Sequence, residues 1–161
     1  MSYVDRVIQP GEDVVYRAPL HWVIYARGLL FLAVGGLALV IGGSFAATEP
    51  DKMRGIGELA IAGLGLIAVI AGAISVIVAF VRRRTTEIAV TTRRVIYKTG
   101  VIRRLTSELS VEKIETVLVE QGILGRILNY GTVIIRGTGG GLEPVQNIDD
   151  PLTFRSKLTA R

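Results

Sequence analysis

LAIAGLGLIAVIAGAISVIVAFVRRR, residues 59–84, divides the chain into two kinds of sequence. The 23 residues before the arginines carry no charge. At about 1.5 Å per residue they make a helix of roughly 35 Å, enough to cross a hydrocarbon layer of about 30 Å. Arg82, Arg83 and Arg84 must end that crossing, because each would cost about 2.5–3.5 kcal/mol at the centre of a membrane helix. The chain before them reads as membrane, and the chain after them as a soluble module.

Upstream, GLLFLAVGGLALVIGGSFAA at residues 28–47 is a second uncharged run long enough to span. Small residues at Ser44 and Ala46 resemble a signal-peptide cleavage site. However, the long preceding segment contains Asp5, Glu12 and Asp13, and the apolar core exceeds about 7–15 residues, so retention is expected. TEPDKMRG, 48–55, is a tight connection, which predicts a two-helix transmembrane hairpin over 28–81. Its loop holds Lys52 and Arg54, whereas Arg17, Arg27, Arg82, Arg83, Arg84, Arg93 and Arg94 flank the open end. The positive-inside rule then puts both termini in the cytoplasm.

Residues 1–27 form an N-terminal cytoplasmic segment. Pro10-Gly11 fits a type II turn, and Val14, Val15 and Tyr16 a short extended piece. His21, Trp22 and Tyr25 make the aromatic collar expected where a helix passes the headgroups. Within the hairpin, Gly28, Gly35 and Gly42 recur every seven residues, as do Gly36 and Gly43, and Ala71, Ser75 and Ala79 every four. Such stripes let helix backbones approach closely, although glycine is also simply frequent in membrane helices. Gly35, Gly42, Ala71, Ser75 and Ala79 are the expected packing positions, with another face left for self-association or a membrane partner. No Asp, Lys, Arg or His lies at membrane depth, which favours an anchor over a transporter or proton relay.

From Thr85 the period changes to two. Ile88 and Val90, then Val95, Ile96 and Tyr97, then Val101 and Ile102 are separated by a Thr91-Thr92-Arg93 corner and a Thr99-Gly100 turn, which predicts antiparallel strands. Further strands are expected at 116–120, through Val133 and Ile135, and in LEPVQNI, with a short excursion at 122–131. Asp150 as N-cap and Pro151 as first helical residue open a closing helix with Pro151, Phe154 and Leu158 on one face.

The sequence contains 19 Lys and Arg against 14 Asp and Glu, no cysteine and one histidine. Disulfides, thiolate chemistry, a metal cluster and a His-based triad are therefore excluded within one chain. Gly137–Gly141 precedes a strand, not a helix, and so reads as a hairpin tip rather than a phosphate cradle. Glu108, Glu112 and Glu115 read as a solvated face. Neither an enzyme nor a cofactor is indicated. The cations are interleaved with acids and no groove-reading motif occurs, so nucleic acid is not an expected partner. Residues 82–161 sum to about +6 and the rest to about −1. The cations either only obey the positive-inside rule or attract anionic lipid. In the second case Arg82, Arg83, Arg84, Arg93 and Arg94, with Lys98, Arg103 and Arg104, meet headgroups beside Trp22 and Tyr25.

TTEIAVTTRRVIYKTGVIRR, the Lys113-Ile114-Glu115 segment, QGILGRILNYGTVIIRGTGG, the EPVQNIDDP ending, and the Ile8–Glu12 and Leu20–Trp22 segments resemble the bacterial PH-like domains of YdbS-like membrane proteins. The resemblance implies a mainly β PH-like domain over 82–161: about seven antiparallel strands in a partly open barrel with a C-terminal capping helix. Phosphoinositide recognition is not implied, because a Lys-x-Arg-x-Arg cradle is missing. The expected protein is a multi-pass protein of the bacterial inner membrane, an interaction or assembly module with anionic lipid and a protein partner or second copy. The alternatives are an accessory subunit of a larger membrane complex and a lipid-responsive regulator of envelope stress.

Overall fold

The computed structural model describes residues 3–46, 52–100, 104–142 and 144–160. The chain separates into two units, one of Met1–Val23 with Val81–Arg161 and one of Ile24–Phe80.

The second unit is built from helices α2 (Ala26–Ala46) and α3 (Lys52–Thr85), which are mostly within it. Two stretches long and apolar enough to cross a membrane, Trp22–Ser44 and Gly57–Thr85, take in most of α2 and of α3. Of the expected loop, residues 48–51 lie outside the described residues, and α3 already begins at Lys52. The helices approach through glycine. A Cβ on Gly35 would stand 2.8 Å from the Gly65 carbonyl oxygen and from the Val69 nitrogen, and one on Gly65 would stand 2.9 Å from the Gly35 carbonyl oxygen. Gly28 faces Val76 and Gly42 faces Ala62 in the same way, whereas Gly36 and Gly43 have nothing within 4 Å. One of the two seven-residue stripes thus packs against α3 and the other is open. Ala79 is buried and Ala71 and Ser75 are half-buried, with the Ser75 hydroxyl donating to the Ala71 carbonyl at 2.8 Å.

The other unit contains eight strands in two four-stranded sheets, where about seven strands were expected, and the sheets do not close. In the first sheet β1 (Val14–Arg17), β2 (Glu87–Thr91), β3 (Arg94–Thr99) and β4 (Leu105–Ser110) lie in sequence order, all antiparallel. In the second, β6 (Tyr130–Gly137) is central and pairs with β5 (Ile114–Glu120), the two-residue β7 (Gly140–Gly141) and β8 (Val145–Asp149). Val101, Ile102 and Arg103 of the expected third strand, and Glu143, lie outside the described residues. A bridge between Leu20 and Ile148 carries the chain beyond β1 to the second sheet.

The core lies between the sheets. Ile88, Val90, Val95 and Tyr97 of the first face Val133, Ile135, Val145 and Ile148 of the second, and Phe154 and Leu158 of α5 (Pro151–Thr159) complete it. Asp150 caps α5 by accepting from the Thr153 N–H at 3.3 Å. Alternation would leave Ala89 and Ile96 in water, yet both are 0% exposed. They pack with Val4 of α1 (Tyr3–Val7), a short helix laid over the outer face of the first sheet. Its first amides are held by the Glu87 carboxylate, 2.8 Å from the Tyr3 nitrogen, and Asp5 pairs with Arg17.

Candidate functional site

Strand register determines which turns share an end of the β unit. Arg17 pairs with Ala89, and the Ala18 N–H donates to the Ile88 carbonyl at 3.0 Å, so the exit of β1 adjoins the start of β2. From there the chain passes through Leu20, His21, whose N–H donates to the Asn147 carbonyl at 2.7 Å, and the turn Trp22–Tyr25 into α2. The start of β2 is reached from α3 through one residue, Thr86, whose N–H donates to the Arg82 carbonyl at 3.0 Å. Both connections to the apolar helices therefore leave the same end of the β unit. Thr99 pairs with Leu105 and its hydroxyl lies 3.2 Å from that of Thr86, which puts the β3–β4 turn at this end. Helix α4 (Ile123–Ile127) is there too: it precedes Tyr130, whose ring stacks on His21 at 5.2 Å between centroids.

Arg82, Arg83 and Arg84 form the exposed last turn of α3 at this end, where cations also favour the helix dipole. Trp22 is 49% exposed and Tyr25 half-buried. Arg104 is exposed in the β3–β4 turn, and Arg103 lies outside the described residues. Arg93 and Arg94 lie at the other end of β2. Five residues at about 3.3 Å separate the ends by roughly 16 Å.

Arg93 is exposed, but Arg94 is not available as a surface charge. Its Nε and one terminal nitrogen donate to the two Glu12 carboxylate oxygens at 3.0 and 2.9 Å, its other terminal nitrogen donates to Glu108 at 2.7 Å, and the Val7 carbonyl accepts at 3.0 Å. Thr91 donates its hydroxyl hydrogen to Glu12 at 2.6 Å. The Glu12 side chain is 1% exposed. The Arg94 guanidinium, with smaller contributions from the Gln9 N–H and the Thr91 hydroxyl, outweighs burial and lowers the Glu12 pKa from 4.5 to about 2. The same pairing raises the Arg94 pKa, so both groups are ionised at neutral pH. Lys98 reaches Glu87 at 3.8 Å and sits 4.8 Å over the Tyr3 ring. Arg94 and Lys98 thus fasten the N-terminal segment to the first sheet. The Glu12 partnership was missed from the sequence, where the only available signals were an acid after Pro10-Gly11 and paired arginines in the corner.

No chemistry-bearing constellation appears at the remaining candidates. Gly139 and Gly140 take φ of +87° and +153° in the β6–β7 turn, Glu108 is engaged by Arg94, and Glu112 and Glu115 are exposed. Among the described residues no three His, Cys, Asp or Glu are grouped to hold a metal ion.

No curated protein matches this chain. No solved structure does either. The family model described as "Bacterial PH domain" matches residues 26–161, which takes in nearly all of the helical unit and the Val81–Arg161 part of the β unit, while β1, Glu12 and α1 precede the match. Taken with the two antiparallel sheets and the C-terminal capping helix, that match shows that the chain belongs to the bacterial PH domain family.

Proposed function

We propose that this protein is a membrane-anchored interaction or assembly module, its PH-like unit held at the cytoplasmic face of the bacterial inner membrane by α2 and α3. The observation that carries this is the surface of those helices. Outside the glycine seam, large apolar side chains point away from the protein, Leu30, Val40, Leu64 and Ile67 being 64%, 68%, 68% and 64% exposed. The buried helix of a soluble core would not have such a surface, but hydrocarbon would cover it. The common end of both connections supports the second half of the proposal, because that end cannot stray far from where the helices insert. Anionic lipid would then meet Arg82, Arg83, Arg84 and Arg104, worth about 1 kcal/mol for each near-surface cation. Arg93, roughly 16 Å along the strand, would contribute little beyond a Debye length of about 8 Å.

With no native cysteine, single probes at Ser2→Cys, Thr48→Cys and Thr159→Cys test the topology in cells. A membrane-impermeant thiol reagent should label only Thr48→Cys from the periplasm. Labelling of Ser2→Cys from outside, or release of the protein into the soluble fraction at alkaline pH, would overturn the proposal. The accessory-subunit reading draws on the open stripe at Gly36 and Gly43. Under that reading, purification in mild detergent yields another membrane protein in fixed ratio.

A further inference from the structure

We propose that α4 and its flanks form an apolar foot that enters the interfacial layer of the bilayer, a third membrane contact besides the two helices. This rests on the membrane reading above. Ile123, Leu124 and Ile127 are 81%, 64% and 72% exposed, and Leu128 is exposed beside them. None of the four belongs to either core cluster.

The segment is nonetheless held in place. Gly125 is its one buried residue, and a Cβ there would stand 2.6 Å from the Tyr130 carbonyl oxygen. The Gln121 amide donates to that oxygen at 3.1 Å and to the Gly125 carbonyl at 3.3 Å. The Arg126 and Leu128 N–H groups close the turn onto the Gly122 and Leu124 carbonyls at 3.0 and 2.9 Å. Backbone bonds, one glycine and one glutamine therefore fix the shape, and the four aliphatic side chains stay outside. A cluster of this kind marks a surface that is covered by something apolar.

Position and charge indicate what covers it. Tyr130, just after α4, stacks on His21, and the next residue, Trp22, begins the turn into α2. The cluster therefore lies at the end of the β unit from which both apolar helices are reached. Residues 121–131 contain one cation, Arg126, and no acid. Aliphatic side chains around a single arginine suit an interface where the stem lies among acyl chains and the guanidinium among anionic headgroups.

The test uses the full-length protein in nanodiscs of phosphatidylcholine and phosphatidylglycerol, with an environment-sensitive fluorophore on Ile127→Cys, Ile67→Cys or Thr138→Cys. Quenching by lipids labelled either near the headgroup or deep in the acyl chain, and by aqueous iodide, is compared, the deep label reporting on Ile67 and the shallow one on Ile127. The expected result is strong lipid quenching at Ile67 and Ile127, none at Thr138, and iodide quenching several-fold weaker at Ile127 than at Thr138. Lipid quenching at Ile67 but not at Ile127 would overturn the foot and leave the anchor standing. If Ile127 is then also shielded from iodide, a second copy or another protein covers α4 and the foot is equally refuted. Absence of lipid quenching at Ile67 would refute the membrane reading itself.

Discussion

Glu12→Gln should destabilise the β unit in a way that depends on pH. The substitution keeps the shape of the side chain and removes the charge that Arg94 holds from two sides. The Glu12 pKa falls from 4.5 to about 2 on folding. At about 1.4 kcal/mol per unit, that shift corresponds to an upper limit of about 3.5 kcal/mol at neutral pH. The side chain is 1% exposed, so solvent screening removes little of it. Because the folded pKa is depressed, the contribution is complete above about pH 4.5 and is lost as pH falls towards about 2, with roughly half remaining near pH 3. Denaturant unfolding of the full chain in detergent, from about pH 7 down to about pH 3, is the assay. Wild type should lose about half of its advantage over Glu12→Gln across that interval. Hydrogen exchange should show the loss first in α1 and β1, which the pair fastens to the β2–β3 turn. A difference below about 0.5 kcal/mol at neutral pH, or one that stays constant across the range, would refute the assignment of Glu12 as an ionised partner of Arg94.

Two further outcomes are expected. Gly35→Val drives a branched side chain into the Gly65 carbonyl, 2.8 Å from its Cβ, and should destabilise the helix pair by about 1–3 kcal/mol in detergent unfolding, whereas Gly36→Val, with nothing within 4 Å, should be near neutral. Phe154→Ala empties a site that is 0% exposed between the sheets and should cost about 3–5 kcal/mol, with Leu152→Ala, 49% exposed, as the control within about 0.5 kcal/mol in the same thermal or denaturant melt.

The features that could be read from the chain are those in which local pattern and structure share a cause. Two uncharged runs become helices because a continuous apolar stretch satisfies its own backbone whether or not anything packs on it. Asp150 followed by Pro151 starts α5 because the cap bond spans only three residues. The β-branched runs after Thr85 became β2 and β3, but their expected alternation gave way to burial of Ile88, Ala89 and Val90 in succession. The residues that cause this, Val4 with Tyr3, Ile8 and Val14, are more than 70 positions away in the chain.

The candidate cations divide in the same way. Sequence counted Arg93 and Arg94 together with the arginines after the second apolar run. Register separates them, because an antiparallel strand carries its two ends to opposite edges of the sheet, and ion pairing then occupies Arg94. The α4 segment resembled a family motif without showing that its aliphatics face outward, since an apolar residue in a short loop is usually read as buried. By itself, then, the sequence determined two apolar helices, a β module after Arg84 and a capped closing helix, all from interactions within about one turn or one hairpin. Only the tertiary structure decided that the first 23 residues belong to the β unit and that its two connections and α4 share one end, because those depend on pairings between residues distant in sequence.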